Sequence, residues 1–360
     1  MPAESITEAQ RQLQICNACR YCEGFCAVFP SIHRLRDFSA GDVTQLANLC
    51  HNCRGCHYAC QYSEPHEFRI NVPRALADVR VESWEKFAKP ASFGRYFQRY
   101  GLAIAGLSVI CVTLVFLLMT LLPATDAPGF YRYLSHTVMI TLFIPAFVFP
   151  LAAIGFGLRD YWRTVKGKPV SLSHLRSAFG AAARLRNLAG GQGQGDEPDQ
   201  GCNYEASDRF SHKRRYAHQC AMWGFLLCFA STTSATVMHY LLALPAPYPF
   251  WSLPKLLGLS GGVLLVAGCG VLAWLKTRAD TALGPRWYGG EMAFVVLLGF
   301  TGLSGLVLYA FTNTEAVPML LAVHLGAVLS LFLLLPYSRM VHGAYRLAAL
   351  VRDAQQRQET

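Results

Sequence analysis

Eight cysteines before residue 61 carry the most specific chemistry in this chain. Cys16, Cys19, Cys22 and Cys26 are spaced C-x2-C-x2-C-x3-C, and Cys50, Cys53, Cys56 and Cys60 repeat that spacing. Three thiolates separated by two residues wrap a turn around one cubane while the fourth points away from it. This is the bacterial ferredoxin arrangement for 4Fe-4S clusters, in which the fourth cysteine serves the other cluster. The spacing therefore predicts two 4Fe-4S sites with crossed ligands: Cys16, Cys19, Cys22 with Cys60, and Cys50, Cys53, Cys56 with Cys26. Ala27 and Gln61 stand where proline usually follows the fourth cysteine, and Pro30 and Pro65 come shortly after. Zinc favours two separated pairs of ligands over a three-plus-one run. Disulfides of a secreted domain would be scattered through loops, so the clustering points to metal in a reducing compartment.

A second chemistry lies in the histidines of apolar segments. An imidazole inside a bilayer is costly unless it pairs or binds something. His218 and His239 are 21 residues apart, and His324 and His342 are 18 apart. On continuous helices these separations span about 31 Å and about 27 Å, and each pair returns to one face. Antiparallel placement puts His218 level with His342 toward the cytoplasm and His239 level with His324 toward the outside. The expectation is one or two b-type haems with bis-histidine ligation. The competing readings are hydrogen bonds to neighbouring helices and, for the rim residues His218 and His342, simple solvation. His136 reads as an interfacial histidine, with a substitute haem ligand or quinone-site residue as the alternatives.

Less specific residues are assigned plainer roles. His33, His51, His57 and His66 read as solvent-facing histidines of a small metal-stabilised domain, ahead of hydrogen bonding that tunes the clusters. Cys111, Cys220, Cys228 and Cys269 read as small core residues of apolar spans. Cys202 reads as a loop cysteine, ahead of a reactive or partner-contacting role.

The elements that must position these residues follow from composition. The chain has 360 residues, of which 53% are hydrophobic and only 15% charged, with a mean hydropathy of +0.27. That balance is unusual for a soluble protein. Helical patterns at residues 42–49 and 72–84, with few strand signals, suggest a helical ferredoxin-type domain over residues 1–90. Six apolar segments follow, each near the roughly 20 residues a bilayer requires: 101–122, 136–158, 216–244, 255–275, 291–311 and 317–340. The expected fold is all-α, a two-cluster domain followed by a six-helix transmembrane cytochrome b-like bundle. Its parts are two transmembrane helices (91–158), a basic loop with a flexible linker at 190–201 (159–215), four transmembrane helices (216–345) and a tail (346–360).

The net charge of +10 is concentrated in loops on one side. Arg159, Arg163, Lys166, Lys168, Arg176, Arg184, Arg186, Arg209, Lys213, Arg214 and Arg215 lie in the long loop, and Lys276, Arg278 and Arg286 between the fourth and fifth segments. The opposite loops offer Arg132 and Lys255. By the positive-inside rule, both termini and the cluster domain face the cytoplasm. No apolar leader precedes the cysteines. Nucleic-acid binding is excluded, because the basic loop lacks interleaved aromatics and any recognisable module. Glycines at 258, 262, 268, 270, 299, 302 and 305 suit close packing around a flat cofactor.

Two ferredoxin motifs, six spans, GCNY at residues 201–204 and CFASTTSAT at residues 228–236 together resemble the tricarballylate-utilisation B proteins (CitB/TcuB family), over nearly the whole chain. The resemblance implies a soluble FAD-dependent tricarballylate dehydrogenase as partner. Its reduced flavin would be reoxidised, with electrons passing to the quinone pool. A related module belongs to a flavoprotein of cobalamin biosynthesis, which leaves the substrate pathway open. The residues themselves contain no nucleotide-binding G-x-G-x-x-G in a βαβ setting and no nucleophile motif, so substrate oxidation is expected on the partner. A transporter with a cluster domain would need matching broken helices in two repeats, and a redox sensor would need an output module; neither is legible.

Overall fold

The computed structural model describes residues 4–26, 28–120, 129–185, 202–244, 246–286 and 289–359. The linker expected at residues 190–201 lies outside them. Helices dominate: among the described residues the one β pairing is an isolated Cys202–Ser211 bridge. The cluster domain consists of α1 (Glu4–Cys19), α2 (Phe29–His33), α3 (Ala40–Leu49), α4 (Gly55–Tyr58) and α5 (Val72–Phe87). The Ser39 hydroxyl accepts from the Asp42 N–H and the Asp42 carboxylate accepts from the Ser39 N–H, a reciprocal cap that starts α3. Asn71 caps α5, with Pro73 in the first turn.

Among the described residues, six long helices are apolar enough to cross a membrane. They are α6 (Ala91–Thr120), α7 (His136–Thr164), α9 (Lys213–Tyr240), α10 (Leu253–Arg278), α11 (Gly289–Ala310) and α12 (Val317–Leu334), the last continuing through two 3-10 turns into α13 (His342–Glu359). Helix α8 (Leu172–Ala183) occupies part of the basic loop. Leu107, Leu114 and Leu118 on α6 are more than half exposed, as expected of side chains that meet lipid tails instead of a protein core.

Pro336 explains why the last apolar segment is not one helix. Its ring excludes the carbonyl of Phe332 from normal i to i−4 bonding and it has no N–H to offer. Helix α12 therefore ends at Leu334, and 3-10 turns at Leu335–Tyr337 and Arg339–Val341 meet at extended Ser338. His342 opens a new helix and does not close α12. The residues after 345, expected as a tail, are the body of α13. Tyr345, Ala349 and Val351 are buried in the same core as Leu46, Leu76 and Trp84 of the cluster domain and Tyr161 of α7. Asp353 pairs with Arg34 and, at 2.7 Å, with Arg357.

Close packing of α9 on α10 depends on small residues. A Cβ at Gly268 would stand 2.4 Å from the Ala221 nitrogen, and one at Gly224 2.4 Å from the Leu265 nitrogen. Both obstacles are backbone, which cannot swing aside. Gly268→Leu should therefore push the helices apart and destabilise the bundle by about 1–3 kcal/mol or more. A clear drop in the thermal midpoint of the detergent-solubilised protein is the expected result, and an unchanged midpoint would contradict this packing.

Candidate functional site

The fold gathers the eight cysteines into two crossed groups. Cys16, Cys19, Cys22 and Cys60 line one small cavity, and Cys26, Cys50, Cys53 and Cys56 line another. Helix α1 delivers Cys16 and Cys19 at its end, while the turns after it bring Cys22 inward and send Cys26 across to the segment after α3. Arg20, Asn52 and Arg54 adopt positive φ, the left-handed conformation that lets a chain fold tightly around a small object. Burial, then the neighbouring thiols, push Cys16 and Cys22 up to about 12. Backbone amides are aimed at the sulfurs, as at Cys50 Sγ, which accepts from the Asn52 N–H at 3.3 Å. Converging thiols with amide donors are a fitting environment for iron–sulfur clusters. No group of three or more His, Cys, Asp or Glu side chains among the described residues is drawn in tightly enough for a single metal ion.

The second group has a neighbour that spacing did not reveal. Cys202, expected as a plain loop cysteine, is 2% exposed, and its thiol hydrogen-bonds Cys53. That bond is the largest cause holding the Cys53 thiol down to about 6, with Arg214 contributing. The Asn203 N–H donates to the Cys53 carbonyl at 2.8 Å, and Arg214 lies 4.0 Å over the Tyr204 ring. Residues 202–204 thus form a clasp on the second group.

His51 and His33 are not the solvent-facing residues expected. The His33 side chain is 5% exposed, 3.4 Å from Glu23. His51 Nδ1 lies 2.9 Å from Arg346 Nη1, and the same guanidinium donates from Nε to the Asn48 carbonyl and from Nη2 to the Cys50 carbonyl, at 3.0 and 2.8 Å. Burial first, then the charges of Arg346 and Arg214, hold His51 well below the usual histidine range, so it is neutral at pH 7. His57 and His66 sit at the edge of the domain, His66 against Tyr62 and Phe68.

Beyond His51, the structure brings His218 of α9 and His342 of α13 together, ring centroids 6.0 Å apart and perpendicular. Two imidazoles on opposite sides of one iron, each with a metal–nitrogen bond of about 2.0 Å, would place their centroids roughly 6 Å apart. His342 Nδ1 donates to the Arg339 carbonyl at 2.5 Å, which leaves Nε2 as the free lone pair. The buried His218 Nδ1 has no hydrogen-bond partner among the described residues.

The outer histidines are arranged differently from the expectation that His239 stands level with His324. His239 lies in the last turn of α9, whereas His324 is seven residues into α12, about 10 Å deeper along the helix. His239 instead meets His136, centroids 5.0 Å apart, with Tyr131 against both rings and the Tyr240 hydroxyl 3.1 Å from His136 Nε2. The depth matching assumed an unbroken helix from His324 to His342, and the break at Pro336 removes that assumption. His324 contacts Ser304 Oγ through Nδ1 at 3.1 Å and lines an apolar cavity of about 710 Å3. Gly258, Gly262, Gly302 and Gly305 form part of its wall, and Phe147 and Phe229 face it from α7 and α9. Of the remaining cysteines, Cys269 is buried, Cys220 and Cys228 are half-buried, and Cys111 lies on the exposed face of α6 and not in a core.

Two family models match the chain. One described as citrate utilization protein B covers residues 97–360, and one described as citrate utilization protein B Fer4-like domain covers residues 9–86. The chain is similar to "Citrate utilization protein B" of Escherichia coli, 40% identical over 358 residues, covering 98% of this chain and 92% of that protein. No solved structure matches.

Proposed function

The chain belongs to the citrate utilization protein B family, and from that premise we propose that it reoxidises the reduced FAD of a partner dehydrogenase acting on tricarballylate or a related tricarboxylate and delivers the electrons to the quinone pool. Cys16, Cys19, Cys22 and Cys60 hold one 4Fe-4S cluster, and Cys26, Cys50, Cys53 and Cys56 hold the other. His218 and His342 would hold a b-type haem, which would supply a one-electron carrier within the bilayer. When bound, these groups exchange single electrons, which joins a two-electron flavin to a carrier within the bilayer.

The observation that carries this reading is the short path from the second cysteine group to the histidine pair. Cys50 is bonded through its carbonyl to Arg346, Arg346 contacts His51, and the chain runs four residues back from Arg346 to His342. Arg214, Arg339 and Arg346 lie close to the paired imidazoles and suit the two propionates of a haem by charge. For a second haem in the outer half, expected on His239 and His324, the substitute partner His136, whose ring centroid lies 5.0 Å from that of His239, is better placed than His324. The ends of α6, α7, α9, α10, α11 and α12 alternate sides, with the cluster domain packed on the side bearing Arg163, Lys213, Lys276 and Arg278. This supports a cytoplasmic cluster domain in a bacterial inner membrane.

The purified, detergent-solubilised protein should show dithionite-reducible b-type bands and about eight non-haem irons per chain, the content of two cubanes. Absence of the bands would remove the haem assignment, and about four irons would remove one cluster.

A further inference from the structure

The two cysteine groups sit in opposite electrostatic settings. Four guanidinium groups converge on the chain around Cys50 and Cys53. Arg80 Nη1 and Arg346 Nη2 donate to the Cys50 carbonyl at 2.7 and 2.8 Å, Arg214 Nη1 donates to the Asn52 carbonyl at 2.9 Å, and Arg54 Nε reaches Asn52 Oδ1 at 3.4 Å. Arg54 and Arg80 are each 3% exposed, so solvent screens them little. The nearby Glu291 is already engaged by Lys276 and Arg339.

Around Cys16, Cys19, Cys22 and Cys60 the setting is different. Arg20 is exposed and bonded to the Asn17 carbonyl, Glu23 is half-exposed beside His33, and the sulfurs meet neutral donors: Gln61 approaches Cys19 at 3.9 Å, and the backbone N–H groups of Tyr62 and Ser63 donate to Cys60. Among the described residues, no cationic side chain bonds the backbone of these four cysteines.

We infer that Arg54, Arg80, Arg214 and Arg346 raise the reduction potential of the site made by Cys26, Cys50, Cys53 and Cys56 above that of the other site. This rests on the cluster assignment proposed above. Reduction adds one negative charge to a site that already carries four thiolates. Burial alone would oppose that charge, but four fixed cations within the same low-dielectric shell favour it. The difference gives the pathway a direction. One electron leaves the shallower site, oxidising it, and reduces the deeper site beside His51 and the histidine pair; no bond is broken and no proton is needed. The shallower group, next to the 63% exposed Tyr21, is then the point of exchange with a soluble donor.

An EPR-monitored redox titration of the full-length protein tests this, with the two signals assigned by Cys16→Ser and Cys50→Ser. In the wild type the deeper cluster should have the higher midpoint. Arg214→Gln and Arg80→Gln should each lower its reduced-to-oxidised ratio at a fixed potential about tenfold, which is 59 mV for a one-electron couple, and leave the shallower cluster unmoved. Arg214→Lys, which keeps the charge, should restore most of the shift. Two signals with an inverted order, or midpoints unmoved in both glutamine variants, overturn the ranking and leave the cluster assignment standing. The lack of two cluster signals in the wild type overturns both.

Discussion

Replacing His342 by alanine is expected to remove one b-type haem while both iron–sulfur signals remain. The reason is geometric. The His342 ring lies 6.0 Å from that of His218 between centroids, and its Nδ1 is tied to the Arg339 carbonyl, which leaves the Nε2 lone pair free to bind a metal. Losing a residue that merely supports a metal ligand costs about 10- to 100-fold in affinity or activity, so losing a ligand itself should reduce electron delivery to quinone by at least about 100-fold. His218→Ala should remove the same haem, because the two rings form one pair. Reduced-minus-oxidised difference spectra measure this directly. Retention of the full wild-type bands in both variants would eliminate the pair as ligands. The cluster domain should survive, since its core is built on Leu46, Leu76, Trp84 and Tyr345 and not on His342.

The second large effect concerns the crossing of the cysteines. Cys60→Ala should abolish the same cluster as Cys16→Ala, although Cys60 belongs to the other motif, and Cys26→Ala should behave as Cys50→Ala does. The quartets that line the two cavities group in this crossed way. Loss of either cluster should also destabilise the domain substantially, because metal binding at such a site is coupled to folding and six of the eight cysteines pack directly against its apolar core. EPR of the four variants decides the matter: if Cys60→Ala and Cys50→Ala extinguish one and the same signal, each motif holds its own cluster and the crossing is wrong.

The short-range features of this protein were legible in the chain itself. A C-x2-C-x2-C-x3-C run dictates which thiols converge, because turn geometry is fixed over a few residues. A 20-residue apolar stretch dictates a spanning helix, because a bilayer cannot satisfy an unpaired backbone. The six spans and the helical cluster domain follow from such local periodicity. What failed was extrapolation through a break. Pro336 ends α12 eight residues before His342, so the relative depth of His324 and His239 could not be counted along one helix, and His136 became the neighbour of His239. Other relations join residues far apart in sequence: Cys202 with Cys53, Arg346 with His51, and α13 with the core of the cluster domain. No spacing rule connects positions 149 or 295 residues apart. Their proximity is decided by how α7, α9 and α13 pack onto the cluster domain. The sequence alone therefore specified the local parts, and the tertiary packing decided which part touches which.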